Sequence, residues 1–282
     1  MRFCVNIVSS QVVGTLASYL LAAVVMWLIG WRAVFAAAAI CLCVMAVIWI
    51  IGFGKIEKRG KDPEKEREDV DNAESTAAKT VNAGKQAWLG SGILMVLFLV
   101  IIHGMLKDGV TTWVPTYITE TFLTSPAFSI LVTTVLPIVN LTGAYLAQYL
   151  YQKCKKQETA AAVWLFLIAV LALTGIWIGK DTSMILTIVL FAMTTASMMG
   201  VNTIFVNFFP LRYEAIGKVS TVSGFMNGMA YVGTAVSTFT IGVLVEQKGW
   251  NVTIGSWVVM TFLALMVCML GKKKIFVADG II

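Results

Sequence analysis

Residues 93–120 read "ILMVLFLVIIHGMLKDGVTTWVPTYITE", and the ten residues that open this stretch are all apolar. Such a run, continued by further apolar residues, has the composition of a helix that crosses a lipid bilayer. Lys107 and Asp108 nevertheless stand side by side within it. An ionised side chain near the middle of a membrane costs at least a few kcal/mol. The pair is therefore the first place to look for a function.

The composition predicts that lipid surrounds most of the chain. Hydrophobic residues make up 59% of its 282 residues and charged residues only 13%. Eight segments are apolar over the length that spans a bilayer, namely residues 4–29, 33–53, 88–119, 127–151, 160–179, 183–209, 219–245 and 251–271. Isolated strands cannot satisfy their backbone groups in lipid, so these segments must be helices. The sequence predicts an all-α, polytopic membrane protein with eight transmembrane helices.

The basic residues report the orientation of these helices. Most of the 21 lysines and arginines fall in every second connection, so the net charge of +6 follows the positive-inside rule and does not indicate nucleic acid as a partner. The distribution of basic residues predicts a multi-pass protein of the cell inner (plasma) membrane with both termini cytoplasmic. The cysteines are scattered and there is one histidine, so we expect no metal and no other cofactor.

One long hydrophilic stretch divides the chain. Residues 54–87 contain eight basic and eight acidic residues, which is typical of a cytoplasmic linker that cannot bury enough surface to fold. Two predicted spans precede it, in residues 1–53, and six follow it, in residues 88–282. The motif "VVGTLAS" at 12–18 matches "YVGTAVS" at 231–237, and a Gly-Trp turn follows each motif, at 30–31 and 249–250. These coincidences predict a duplication.

Three stretches carry a family resemblance. "LKDGVTTWVPTYITE" at 106–120, "STVSGFMNGMAYVGTAVS" at 220–237 and "GWRAVF" at 30–35 are similar to the seventh helix, the eleventh helix and the fifth-to-sixth turn of the major facilitator superfamily. The chain most resembles the organophosphate:phosphate antiporters, such as the glycerol-3-phosphate and hexose-phosphate carriers, which have an arginine where Lys107 stands. The resemblance implies a complete C-terminal six-helix half plus the last two helices of the N-terminal half, with the first four helices missing.

Lys107 is the leading candidate for substrate binding. The alternatives are neutralisation by Asp108 and snorkelling, but adjacent residues of a regular helix diverge by about 100°, and snorkelling would have to reach past Trp113 and Pro115. We therefore expect Lys107 to face a polar cavity and to bind an anion. Asp108 pairs with Lys107 through a distorted turn, pairs with another helix, or carries a coupling proton. His103 shares the face of Lys107 and is either a second binding residue or a packing group.

Polar and aromatic side chains in the spans complete the predicted site. The polar ones are Asn140, Asn202, Asn227 and Tyr231, each of which could instead hydrogen-bond a neighbouring helix. The resemblance adds that Tyr231 matches a binding tyrosine of the family's eleventh helix. Trp113 and Tyr117, near the predicted outer surface, are candidates for a gate or for an interfacial aromatic belt.

The predicted function is secondary active transport of a small organic anion, a phosphate ester or a carboxylate such as a sugar acid, by alternating access. Exchange for another anion or symport with a proton would drive it. The sequence contains no catalytic motif, so we expect no enzyme activity. The alternatives are a membrane-embedded sensor of the same ligand and an inactive transporter fragment. The expected partners are the anion, the lipid bilayer and a separate chain that supplies the missing four helices.

Overall fold

The computed structural model of the chain describes residues 13–15, 17–18, 21, 24–25, 28–60, 92–179 and 182–278. Apart from turns and short connections, these residues are helical, and they contain no strand. The chain forms two compact units, one of residues 13–87 and one of residues 1–12 with 88–282. The all-α prediction is confirmed for the described residues.

The smaller unit contains helix α1, Trp31–Gly60. Its apolar part, Arg32–Gly52, is long enough to cross a membrane and is not buried within the unit. The helix continues past the predicted linker boundary at residue 53, and the rest of the predicted linker, 61–87, lies outside the described residues. Much of the first predicted span, 4–29, also lies outside them, and the residues described between 13 and 28 are helical.

The larger unit is a bundle of helices in which two long segments contain non-α turns. The elements are α2 (Ile93–Gly104), α3 (Val110–Phe122), α4 (Pro126–Thr133), α5 (Val135–Lys153), α6 (Glu158–Ile178), α7 (Met184–Asn202) and α8 (Val219–Ala278). A π-helical turn, Met105–Gly109, joins α2 to α3. A second π-helical turn, Thr203–Phe208, and a 3-10 segment, Phe209–Ile216, follow α7.

Six helical segments among the described residues are long and apolar enough to cross a membrane. They are Arg32–Gly52, Ile93–Phe122, Phe128–Lys153, Glu158–Ile178, Met184–Glu214 and Val219–Gly271. The last of these contains two predicted spans, because α8 is interrupted at Gly249, where φ is 75° and ψ is 174°. We call residues 219–248 the first arm of α8 and residues 250–278 its second arm. A multi-pass helical protein is thus confirmed, while the count of eight spans stays a prediction.

Glycines with positive φ mark both predicted Gly-Trp turns. Gly30 has φ of 114° before α1, and Gly249 has φ of 75° between the arms of α8. A side chain with a Cβ atom is strained at such angles, so glycine is the residue that lets one helix stop and the next begin at once. The repeated dipeptide predicted from the sequence therefore coincides with a helix break in each unit.

The first arm of α8 crosses α2 and the first π-turn at very short range. A methyl group built on Gly104 would overlap the backbone carbonyl of Ala230, and one built on Gly233 would overlap that of Ile101. Helices inside lipid associate through such close contacts between small residues, because lipid provides no hydrophobic drive for helix pairing. This crossing fixes which face of the first arm meets the Lys107 segment.

An ion pair joins the first residue of α6, Glu158, to Arg212 in the 3-10 segment. Arg212 donates through Nε to Glu158 Oε1 at 3.0 Å and through Nη2 to Glu158 Oε2 at 2.5 Å, and only 4% of the Glu158 side chain is exposed. A bidentate arginine is the arrangement that makes a buried carboxylate tolerable.

The close crossing predicts a difference between two glycine-to-alanine variants. Gly104→Ala should lower the free energy of unfolding by about 1–3 kcal/mol, because the added methyl group must displace the backbone of Ala230. Gly224→Ala is the matched control, since a methyl group there has no neighbour within 4 Å. Thermal unfolding of the purified chain in detergent measures both. Equal stability of the two variants would contradict the close crossing.

Candidate functional site

The Lys107–Asp108 pair lies in the π-helical turn Met105–Gly109, where the helix is wider than an α-helix. Lys107 Nζ is 3.3 Å from Asp108 Oδ1. In a regular helix these adjacent side chains would diverge, so the wide turn permits the ion pair. Of the alternatives open for Asp108, the structure shows the pairing with Lys107 through a distorted turn and also a contact with another helix, at Thr234.

Thr234, on the first arm of α8, holds the other oxygen of the Asp108 carboxylate. Its hydroxyl lies 3.1 Å from Asp108 Oδ2 and 3.2 Å from the carbonyl oxygens of Gly104 and Ala230. Ser237, one turn further along the arm, donates to the carbonyl of Met105 at 2.8 Å. These hydroxyl groups meet backbone carbonyls around a turn whose regular α-helical hydrogen bonding is interrupted, which matters where water is scarce.

The charge pair is partly accessible. The Lys107 side chain is 13% exposed and the Asp108 side chain 33%. The ammonium therefore lies mostly inside protein, with the carboxylate on its more open side. Because each charge neutralises the other, the pair costs less within a membrane span than either charge alone. An ionic ligand can compete with one member of the pair for the other.

His103 is fully buried one turn before this pair, on the side of α2 that faces α7. Its Nδ1 donates to the Val100 carbonyl at 2.6 Å, and its Nε2 is 3.1 Å from Asn202 Oδ1. A neutral ring that donates at Nδ1 can only accept at Nε2. It accepts there from the Asn202 side-chain nitrogen when the oxygen and nitrogen of that amide are interchanged. The structure thus brings two predicted site residues together, on the α7 side of the helical segment that contains Lys107.

Asn202 is the last residue of α7 before the second π-helical turn, Thr203–Phe208. Lys107 and Asp108 lie inside the first one. Single π-turns within α-helices often occur at functional sites, because they re-aim side chains and loosen the helical hydrogen bonds. The two segments that carry the predicted charged and amide groups therefore share the same departure from α-helical geometry.

Asn140, Asn227 and Tyr231 have no direct contact with the charge pair through hydrogen bonds. Among the described residues, none of the three hydrogen-bonds to Lys107 or Asp108. Asn140 Oδ1 is buried in α5 without a hydrogen-bond partner within the described part of the chain. Asn227 is exposed and Tyr231 is 55% exposed, and they share a face of the first arm with Gly224, beside which a methyl group would meet no atom within 4 Å.

Trp113 and Tyr117, the predicted gating residues, belong to an aromatic cluster with Trp250. The Trp113 indole nitrogen donates to the Thr238 carbonyl at 3.3 Å, and its ring is 6.5 Å from that of Trp250 between centroids. Tyr117 is only 3% exposed and packs edge-to-face on Phe191 and on Trp250, at 5.4 and 5.1 Å between centroids. Their role as a gate stays a prediction.

Thr234 and Ser237 are the site residues that the sequence analysis missed. Both belong to "YVGTAVS", the motif whose repetition at 12–18 predicts a duplication. Gly233 in that motif makes the close contact with α2, and the two hydroxyl groups follow at the spacing that keeps them on the same helix face. The repetition could have indicated this contact surface.

In the part of the chain that the structure describes, no group of three or more potential ligand side chains could hold a metal ion.

These observations define the class of the protein: a multi-pass helical membrane protein with a charge pair inside one of its spans. The sequence matches the profile of the Major Facilitator Superfamily over residues 7–238, most of the chain. The chain belongs to this family of membrane transporters. No curated protein gives a significant match to the sequence.

The contacts of Asp108 predict the effect of removing one hydroxyl group. Thr234→Val keeps the shape of the side chain but deprives Asp108 of its hydrogen bond, which should lower the free energy of unfolding by about 1–3 kcal/mol. Thr240→Val is the control, because that exposed hydroxyl bonds only to its own helix, at Val236. Detergent-titrated unfolding of the two variants makes the comparison. A smaller loss for Thr234→Val than for Thr240→Val would contradict the described contact.

Proposed function

We propose that the chain is a secondary active transporter of a small organic anion, working by alternating access. The observation that carries this proposal is an ammonium group, Lys107, which lies inside a membrane span, is mostly buried, and has its nearest carboxylate on a partly open side. Charged groups within membrane spans are costly and most often mark substrate or ion pathways. A transporter family is the setting in which that cost has a use.

In the proposed mechanism, Lys107 changes partner. Without substrate, Asp108 neutralises it at 3.3 Å. An entering carboxylate or phosphate competes for the ammonium, and Asp108 keeps its hydrogen bond from Thr234 while it is displaced. The displaced Asp108 carboxylate then either turns towards the open side or takes up a proton. The first course suits exchange of one anion for another, and the second suits symport with a proton.

The other predicted residues orient the anion in this scheme. The unpartnered carbonyl oxygen of Asn140 would accept a hydrogen bond from a substrate hydroxyl group. Asn227 and Tyr231, on the open face of the first arm, would donate to its oxygen atoms. His103 and Asn202 support the segment from behind through their mutual hydrogen bond. Trp113 and Tyr117 would close the site towards the end of the bundle at which they cluster.

The substrate class follows from the charge that Lys107 offers. Lysine is a compact point charge, whereas arginine presents a planar fork that fits two oxygen atoms of a phosphate or carboxylate group. A single carboxylate, as in a sugar acid, suits one ammonium, and a phosphate ester is the substrate that the resemblance to the antiporters favours. Both belong to the class of small organic anions.

The proposal includes the setting of the chain. The eight predicted spans lie in the inner (plasma) membrane, with both termini of the chain cytoplasmic. Two halves that rock about a central site are what alternating access requires.

Replacing Lys107 tests the proposal. The full chain is purified in detergent, and its melting temperature is measured with a panel of sugar phosphates and sugar acids, because a ligand raises it by mass action. Lys107→Ala should weaken binding of any stabilising anion at least about tenfold, the effect of losing one hydrogen bond to a charged group. Lys107→Arg should retain part of the binding, and Lys248→Ala, at an exposed lysine, should retain all of it.

Flux in proteoliposomes completes this test. If the unchanged chain takes up the stabilising anion and Lys107→Ala does not, the result supports the proposal that the chain is a transporter. Saturable binding without uptake would favour the sensor. Undiminished binding in Lys107→Ala would overturn the assigned site.

A further inference from the structure

A pocket lies at the end of the bundle away from the Glu158–Arg212 pair. It has a volume of about 360 Å³ and is bordered by the ends of α3 and α6 and the start of the second arm of α8. Glu120, Tyr117, Trp177 and Trp250 contribute to its wall. The walls thus combine one carboxylate with three aromatic side chains, whereas the proposed transport site is built around an ammonium group.

Glu120 gives this pocket a carboxylate that forms no ion pair with the residues that the structure describes. The Trp250 indole nitrogen donates to Glu120 Oε2 at 2.7 Å, which orients the carboxylate without cancelling its charge. Among the described residues, no lysine, arginine or histidine lies within ion-pair distance of Glu120. An ionised carboxylate accepts about four hydrogen bonds. Within the described part of the chain, most of this capacity is left unused.

Two of the aromatic walls are fixed by packing. Trp250 packs in a T-shaped arrangement with Trp113 and with Tyr117, at 6.5 and 5.1 Å between ring centroids, with interplanar angles of 64° and 84°. Trp177 is 42% exposed, and a methyl group built on Gly255 would lie 3.4 Å from its indole nitrogen. The packed rings of Trp250 and Tyr117 need no reordering when a ligand enters, which favours binding.

Aromatic faces beside a carboxylate attract one kind of ligand. The faces of tryptophan and tyrosine rings attract cations, and quaternary ammonium groups are bound in cages of such rings. A pocket of about 360 Å³ lies within the usual range of small-molecule sites. We propose that this pocket binds an alkylammonium group, held by Glu120 and by the rings of Trp250 and Trp177.

The ammonium group has two sources. The pocket lies where three membrane spans end, so it can receive either a free organic cation from water or the choline or ethanolamine headgroup of a phospholipid. An aromatic belt at the membrane interface would account for the tryptophans alone. It does not account for a concave site or for a carboxylate oriented by an indole nitrogen.

Binding of tetramethylammonium to the purified full chain tests the proposal. Melting temperature and tryptophan fluorescence are followed in detergent, with sodium chloride at equal concentration as the control for ionic strength. The same measurements in nanodiscs compare phosphatidylcholine and phosphatidylethanolamine with phosphatidylglycerol. Stabilisation by the free cation supports a soluble ligand, and stabilisation only by choline or ethanolamine lipids supports a headgroup.

Two variants identify the site. Glu120→Gln removes the charge but keeps an acceptor for Trp250, and it should weaken binding at least tenfold. Trp177→Leu, which removes an aromatic wall without touching the carboxylate, should also weaken it. Glu246→Gln, at an exposed acid, is the control and should bind as the unchanged chain does. No stabilisation by any ammonium source, or equal affinity in Glu120→Gln and the unchanged chain, would overturn the proposal.

Discussion

The neutralisation of Lys107 by Asp108 inside one wide helical turn is the constraint on which the rest of the site depends. The two adjacent charges meet at 3.3 Å within the π-helical turn Met105–Gly109, whose width favours a contact between side chains that diverge in a regular α-helix. Such a turn interrupts the α-helical hydrogen bonding of its backbone, and Ser237 supplies a donor to one of the carbonyls there. Ser237 can reach that carbonyl because Gly104 and Gly233 let the first arm of α8 come close. Charge, turn and helix crossing therefore support one another.

The apolar spans that the structure describes and the two breaks at Gly30 and Gly249 could be predicted from the sequence, because each depends on local composition. A run of apolar residues must be helical in lipid wherever it lies, and a glycine before a tryptophan ends a helix through its own backbone angle. The oddness of Lys107 could also be seen, since a lysine among apolar residues needs no partner to be conspicuous. Which residues meet it could not be seen in the same way.

The missing information concerns contacts between residues far apart in the chain. Thr234 meets Asp108 across more than a hundred residues, and one extra residue in a helical turn changes which side chain faces the neighbouring helix. Glycines show the same limit: Gly233 touches α2, while Gly224 and Gly228 of the same arm have open space beside them. Their spacing permits close approach at all three positions, and only the packing decides which one is used.

A double-mutant cycle between Lys107 and Asp108 tests the central claim most directly. Lys107→Met, Asp108→Leu and the double variant are compared with the unchanged chain by reversible unfolding in mixed detergent micelles. If the two charges neutralise each other, each single variant leaves one uncompensated charge, and the double variant is more stable than either, with a coupling free energy above about 1 kcal/mol. Single-variant effects that add to within about 0.5 kcal/mol would contradict the account, because independent residues behave in that way.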